Sequence, residues 1–185
     1  MDNKVGKLLV AHPNLPKSTP FYKAVIYVVN DDDTGTQGMI INKPSDYLVT
    51  DFVASKGVDL FPHTNEKMRF GGPLTTKMVF MLHTDDFEST SSSIAGRGLM
   101  ISCDDFMIEK MSYGQLPYNW RMAVGMCGWQ PGQLDLELKG KRPYKAETSW
   151  LTCDANESIM FNYDGEDQWV KAVEISSQQM INSYF

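Results

Sequence analysis

Apolar residues fall in short continuous runs along most of the chain, a pattern typical of buried strands. Residues 24–29 form the most continuous run, and residues 38–42 form a second one. Between them, residues 30–35 are rich in Asn, Asp, Thr and Gly, which favour tight turns. The pattern therefore predicts a β-hairpin. Further strands are predicted at residues 8–11, 78–83, 98–101 and 120–126.

Helical spacing is limited to a few segments. Phe106, Met107 and Met111 predict a helix over residues 103–113, with a capping box that begins at Ser102. A short helix capped by Thr50 is predicted up to residue 56, and a third helix is predicted from Gly165 onward with Trp169 and Val173 on its inner side. Residues 133–138 fit a strand or a helix, and residues 140–144 fit a basic turn.

Length and charge narrow the function classes. A chain of 185 residues with 42% hydrophobic residues predicts a single domain over residues 1–185 with a sizeable core. The formal charge of -6 and the pI near 5.0 argue against direct nucleic-acid binding, which relies on Lys and Arg neutralising phosphates. An acidic chain of this kind reaches nucleic acid, if at all, through a protein partner.

The cysteines and the termini indicate the compartment. Cys103, Cys127 and Cys153 are odd in number and form no CxxC pair, so the common zinc and redox signatures are absent from the sequence. The N-terminus lacks the apolar core of a signal peptide, and no run approaches the ~20 apolar residues of a membrane span. We expect a cytoplasmic protein in a reducing compartment, with no membrane contact, no metal and no cofactor.

The stretch Phe70–Leu74 has the most constrained backbone. Gly71 and Gly72 weaken any regular element, and Pro73 donates no backbone hydrogen bond. Because Phe70 and Leu74 are apolar, the turn is expected to be pinned to a core. This pattern predicts that the backbone here comes very close to another part of the molecule.

The corner residues, taken in order, resemble the bacterial AlgH/YqgE family. The segments that carry the likeness are residues 35–44, Phe70-Gly71-Gly72-Pro73, residues 82–84, residues 125–129 with 132–134, residues 150–152 and 159–161, and Trp169. The resemblance runs from about residue 6 to residue 174. Residues 176–185 have no counterpart in it, and Asp135 stands where the family has a longer acid.

The resemblance implies a fold and a setting. The fold is an α+β domain whose bifurcated mixed β-sheet curls into a pseudo-barrel with a few flanking helices. The family is often labelled as transcriptional regulators, so the resemblance implies a regulatory role. A fold alone supplies no biochemical activity.

Three corners are expected to converge on one groove. The first corner is the strand end at Asn42, Lys43 and Pro44. The second is the turn at Gly71, Gly72 and Pro73, which we call the diglycine corner. The third is a glycine-rich corner flanked by Trp129 and Gln133. The glycines either cradle an anion or form tight structural turns, and Asn42 either faces the groove or pins a neighbouring loop. Trp129 is either a core anchor or an exposed recognition platform. The hypothetical groove comprises Asn42, Lys43, Pro44, Gly71, Gly72, Pro73, His83, Trp129, Gln133 and Asp135.

The sequence contains no complete set of catalytic residues. His83 and Cys127 are a conceivable nucleophile pair without a third orienting group. Asp135 and Glu137 are either a carboxylate pair, able to bind a divalent cation together with Asp104, or a solvated face. No catalytic residue is therefore assigned.

The leading hypothesis is a non-enzymatic cytoplasmic binding protein that acts through a protein partner. The alternative is a metabolite-binding domain or small enzyme that uses the glycine-lined groove.

Overall fold

The computed structural model describes residues 3–141 and 149–184. Its strands are β1 (Lys7–Ala11), β2 (Val25–Asp32), β3 (Gly35–Ile40), β4 (Pro44–Leu48), β5 (Lys67–Phe70), β6 (Leu74–Thr84), β7 (Ser93–Gly96), β8 (Leu99–Ser102), β9 (Trp120–Trp129) and β10 (Trp150–Asp154). Its helices are α1 (Val49–Ser55), α2 (Asp105–Ser112), α3 (Gln133–Leu138), α4 (Glu157–Phe161) and α5 (Gly165–Asn182).

The strands form one curled sheet. The main path runs β10-β1-β2-β3-β9-β6-β8-β7, and its neighbours pair antiparallel. The strands β4 and β5 branch off it, with β5 parallel to β9. The Tyr27 hydroxyl on β2 donates to the carbonyl oxygens of Ala95 and Gly96 at β7, so the two regions meet across the curl. The result is an α+β half-barrel, as predicted.

Both faces of the sheet are buried. One cluster, which includes Leu8, Val25 and Tyr27, lies inside the curl and is covered by α5. A second packs α1 and α2 against β6 and β9, and a third packs α3 and β10 against the outer face of β2 and β3. Because β2 contributes to two clusters, it reads in the sequence as one unbroken apolar run.

The predicted hairpin and the strand at residues 120–126 are confirmed as β2–β3 and β9. Two capping predictions are wrong. The α2 cap is Asp104, which accepts from the Met107 amide, because the Ser102 hydroxyl is already engaged by His83. The Thr50 hydroxyl donates to the Thr64 carbonyl instead of capping α1.

The ambiguous segment at residues 133–138 is helical, because Gly132 adopts a left-handed φ of 75° and turns the chain into α3. The basic turn predicted at residues 140–144 lies mostly outside the described residues. Helix α5 extends to Asn182 and so includes most of the tail that the resemblance left unassigned. Among the described helices, none has the length and apolar character required to cross a bilayer.

Candidate functional site

The diglycine corner lies against the backbone of β9. The Gly71 amide donates to the Val124 carbonyl over 2.8 Å, and the Gly71 carbonyl accepts from the Ile40 amide. A Cβ on Gly72 would sit 2.2 Å from the carbonyl carbon of Met126. A Cβ on Gly125 would sit 2.3 Å from the Gly72 oxygen. The predicted close approach is therefore between two segments of this chain, and only glycine fits there.

Asn42 has a pinning role. It is 3% exposed, its Oδ1 accepts from the Val25 amide over 2.7 Å, and its Nδ2 donates to the carbonyls of Lys23 and Gly165 over 2.9 Å. These bonds join Asn42, which follows β3, to the start of β2, to the loop before β2 and to the start of α5. The side chain therefore pins neighbouring segments of the fold and does not line the groove.

Lys43 and Pro44 lie beside the diglycine corner. The Lys43 carbonyl accepts from the Phe70 amide, and the Lys43 ammonium donates to the Pro20 carbonyl. Burial lowers the pKa of Lys43, although nearby Cys127 acts in the opposite direction. Pro44 is exposed at the start of β4. These two residues therefore border the corner from the β4 side.

His83 and Cys127 do not form a pair. His83 is paired with Trp120 on β9, and Cys127 lies seven positions further along that strand, about 20 Å away at ~3.3 Å per residue. The Cys127 thiol donates to the Gly71 carbonyl, and burial raises its pKa to about 12. A thiol that stays protonated is a poor nucleophile.

His83 instead belongs to a buried polar chain. Its Nδ1 lies 2.8 Å from the Thr84 carbonyl, which only accepts, so Nδ1 carries the proton. Nε2 then accepts from the Ser102 hydroxyl over 2.8 Å, and Ser102 is joined to Ser92 over 2.6 Å. Burial is the main cause of the lowered His83 pKa. The residue is fully buried against Phe87 and has no access to a ligand.

Of the ten residues predicted for one groove, Trp129 and Gln133 line a small cavity, together with Leu74 beside the diglycine corner. We call this cavity the corner groove. It has a volume of about 160 Å³ and is lined by Thr34, Gly35, Thr36, Gln37, Leu74, Gly128, Trp129, Gln130 and Gln133. Leu74, which directly follows Pro73, is 50% exposed, and a Cβ on Gly128 would lie 2.8 Å from its Cδ1. The other predicted residues do not line it: Asn42, Lys43, Pro44, Gly71, Gly72, Pro73, His83 and Asp135.

Glu137 fixes the wall of the corner groove. Its Oε2 accepts from the indole nitrogens of Trp129 and Trp150 over 3.0 and 2.8 Å, and its Oε1 accepts from the Gln133 amide over 2.8 Å. The two indole rings pack edge to face, with centroids 6.0 Å apart. Trp129 is 7% exposed and therefore a core anchor with one edge at the groove.

Asp135 forms an ion pair with Lys4. Its carboxylate lies 2.7 Å from the Lys4 ammonium, which also lies 3.5 Å from Asp31. Glu137 is engaged by the two indoles, and Asp104 caps α2. Within residues 3–141 and 149–184, no three His, Cys, Asp or Glu side chains are grouped so as to hold a metal ion.

A second, more polar cavity lies between β5, β9 and the α4–α5 turn. We call it the two-arginine cavity. It has a volume of about 370 Å³ and is lined by Thr64, Glu66, Arg69, Tyr118, Asn119, Trp120, Arg121, Phe161, Asn162, Tyr163 and Asp164. No local motif marks this cavity in the sequence, because its charged residues come from three distant segments.

A third cavity opens at the mouth of the half-barrel. It has a volume of about 360 Å³, and Val29, Phe80, Ile101 and Met126 supply its apolar wall. Asn30 and Gln37 are among the polar residues at its rim. Mouths of barrels commonly hold small molecules.

Fold and cavities together define a half-barrel α+β domain with several candidate binding cavities and no assembled catalytic set among its described residues. Sequence comparison gives the family: the AlgH-like family matches residues 8–180, and the chain belongs to it. A UPF0301 protein of Shewanella loihica is 33% identical over 178 residues, covering 94% of this chain and 91% of the relative. A UPF0301 protein of Xanthomonas euvesicatoria is 32% identical over 169 residues, covering 90% and 86%.

Solved structures agree with the fold. The solution structure of AlgH from Pseudomonas aeruginosa superposes with a TM-score of 0.72 and 25% identity, covering 94% of this chain and 89% of that one. A crystal structure of a Corynebacterium diphtheriae protein superposes with a TM-score of 0.67 and 21% identity, covering 90% and 83%. The second likeness supports the fold alone.

Proposed function

We propose that this protein is a non-enzymatic cytoplasmic binding protein that acts in a regulatory setting through a protein partner. The partner inserts an apolar side chain into the corner groove. The main observation behind this proposal is that Leu74 is half exposed and lines a small cavity. The Trp129 side chain on the wall of that cavity is held in place by a hydrogen bond to Glu137.

The size of the cavity favours a protein over a free metabolite. At about 160 Å³ the corner groove is smaller than the ~300–1,000 Å³ typical of small-molecule sites. It matches the pocket for a single anchoring side chain, and such anchors supply most of the affinity of an interface. Because Trp129 is already fixed, binding there costs little ordering of the wall.

The surface around the corner groove supports the same proposal. Met78 is 43% exposed and Pro73 is exposed, so the start of β6 presents apolar surface beside Leu74. The formal charge of -6 supports a protein partner over DNA. We infer a transcriptional setting only from the resemblance to a family often labelled as regulators, and the protein acts there indirectly, through that partner.

The test is affinity capture from lysate of the native cell, followed by titration with the purified captured protein. Leu74→Ser is compared with Ile181→Ser, a matched control because Ile181 is 53% exposed on α5. Both variants should melt as the natural chain does. We expect Leu74→Ser to weaken binding at least tenfold and Ile181→Ser to leave it unchanged. Equal binding by both variants would move the interface elsewhere, and strongly salt-dependent binding to duplex DNA would contradict the protein-partner class.

A metabolite-binding function is the second candidate, favoured by the barrel-mouth cavity of about 360 Å³ with its apolar wall and polar rim. A metabolite library screened by thermal shift tests it, because a ligand that binds only the folded state raises the melting temperature. A genuine hit should lose its effect in Ser93→Trp, which fills the cavity, and keep it in Ser183→Trp. A hit retained by both variants lies outside this cavity.

A further inference from the structure

We propose that the two-arginine cavity binds a small zwitterion that carries a carboxylate and an ammonium group, as α-amino acids do. This site is independent of the proposed partner surface, because the two cavities share no lining residue. The inference rests on the arginine donors that the fold leaves unused and on the sign of the charges around them.

Arg69 and Arg121 are buried cations. Their side chains are 1% and 4% exposed. Arg69 donates from Nη1 to Glu66 over 2.6 Å and from Nη2 to Asp164 over 2.7 Å. Since both carboxylates also line the cavity, the guanidinium of Arg69 borders it.

Part of the fold depends on Arg121. Its Nε donates to the Met160 carbonyl over 2.8 Å, and its Nη2 donates to the Tyr163 carbonyl over 2.6 Å. These bonds fasten the end of α4 to β9. They account for Nε and Nη2 and leave Nη1 for other partners.

Two arginine N–H groups at this cavity lack a good hydrogen-bond acceptor. The buried Nε of Arg69 has no hydrogen-bond partner within the described part of the chain. The Nη1 of Arg121 reaches Asp164 only at 3.5 Å and Glu66 only at 3.8 Å. A buried unpaired N–H group is unfavourable, and arginine donors suit a carboxylate particularly well. A ligand carboxylate in this cavity would supply an acceptor for the Nη1 of Arg121, which lines the cavity.

The neighbouring acids select against a simple anion. Glu66 and Asp164 line the cavity together with the arginines, and their side chains are 33% and 43% exposed, so both are open to solvent. Two positive and two negative side chains give no net charge. An ammonium group on the same ligand would pair with the carboxylates while the ligand carboxylate reaches the arginines. The volume of about 370 Å³ accommodates an amino acid.

The probes are L-alanine, L-serine and L-glutamine, with propionate and ethylamine as single-charge controls. Each is titrated to about 10 mM, well above a dissociation constant of 1 mM, while the arginine Nε–H signals are followed by ¹H–¹⁵N NMR. We expect at least one amino acid to shift the Arg69 signal and leave that of exposed Arg97 in place. Propionate and ethylamine should bind at least tenfold more weakly.

Glu66→Gln keeps an acceptor for Arg69 but removes one negative charge, so it should weaken amino-acid binding at least tenfold. Glu174→Gln, on the exposed side of α5, is the matched control and should bind normally. An Arg69 signal that no amino acid moves, an equal response to propionate, or unchanged binding by Glu66→Gln would each overturn the proposal.

Discussion

The diglycine corner and the two-arginine cavity both join distant parts of the chain, but they do so by different physical means. At the corner, the backbone of Gly72 lies so close to that of Met126 that no side chain fits between them. At the two-arginine cavity, the junction consists of long charged side chains that reach Glu66, Asp164 and the carbonyls after α4.

This difference predicts how each region tolerates change. At the diglycine corner the two backbones leave no spare volume and carry no charge. Any added atom should therefore destabilise the fold there, and the stability of this contact should not depend on pH or salt. A charged junction tolerates changes of shape but fails when one charge is removed. The four predictions below test this contrast from the largest expected effect to the smallest.

Gly72→Ala should have the largest effect. Its Cβ would lie 2.2 Å from the Met126 carbonyl carbon, and its φ of 152° is unfavourable for alanine. We expect a loss of more than about 4 kcal/mol in the free energy of unfolding, measured by urea denaturation. Gly132→Ala is the control, because its φ is 75° but nothing lies within 4 Å, and it should cost only about 1 kcal/mol. Equal losses would show that conformation, not close approach, constrains the corner.

Arg121→Met should cost about 3–5 kcal/mol, because it removes the donors to the carbonyls of Met160 and Tyr163, and an unpaired buried polar group costs about 1–3 kcal/mol. The control is Arg97→Met, whose partner Asp154 is 44% exposed. Such a surface pair contributes about 0–1 kcal/mol. Urea denaturation of both variants makes the comparison, and a loss below 1 kcal/mol for Arg121→Met would contradict a structural role for this side chain.

Glu137→Gln tests a charged group that supports the corner groove. An amide nitrogen would face either the two indole donors or Gln133, so one side loses its acceptor, at a cost of about 1–2 kcal/mol. Tryptophan emission should shift at the same time, because the indoles of Trp129 and Trp150 lose their charged acceptor. Glu174→Gln should change neither stability nor emission.

Asp104→Ala tests pH sensitivity at another charged junction. Burial raises the pKa of Asp104, but hydrogen bonds from Ser89, Ser91 and the Met107 amide outweigh it, so the pKa lies well below its usual range. A lowered folded-state pKa stabilises the protein above about pH 4, and this contribution is lost as pH falls. We expect a cost of about 1 kcal/mol at pH 7 that shrinks below pH 4. A cost that is constant with pH would contradict this assignment.

The same contrast explains what the sequence could predict. The diglycine corner can be predicted from the sequence because two glycines and a proline do not fit the interior of a helix or strand. The hairpin can be predicted because a segment rich in turn-forming residues separates two apolar runs. The close approach at Gly72 was predicted, although its target, β9, was not. Strand pairing over such distances leaves no mark in a local pattern.

The candidate site was only partly predictable. Trp129 and Gln133 line the corner groove because they flank the glycine that starts α3. Asn42 and His83 are polar residues at strand ends, which predicts a place in the groove, yet both are buried and bonded within the fold, since a buried polar side chain must find partners there. Arg69 and Arg121 carry no local signal, because nothing near them in the sequence distinguishes a buried arginine from an exposed one.

The central claim is that a protein partner contacts the corner groove. The most direct measurement places a photoreactive benzoylphenylalanine at position 74 and, in a second chain, at position 181, two apolar sites of similar exposure. Both chains are irradiated in native cell lysate, and the adducts are identified by mass spectrometry. The account predicts one abundant protein adduct from position 74 that is absent from position 181. Adducts from position 181 alone, or the same adducts from both, would contradict it.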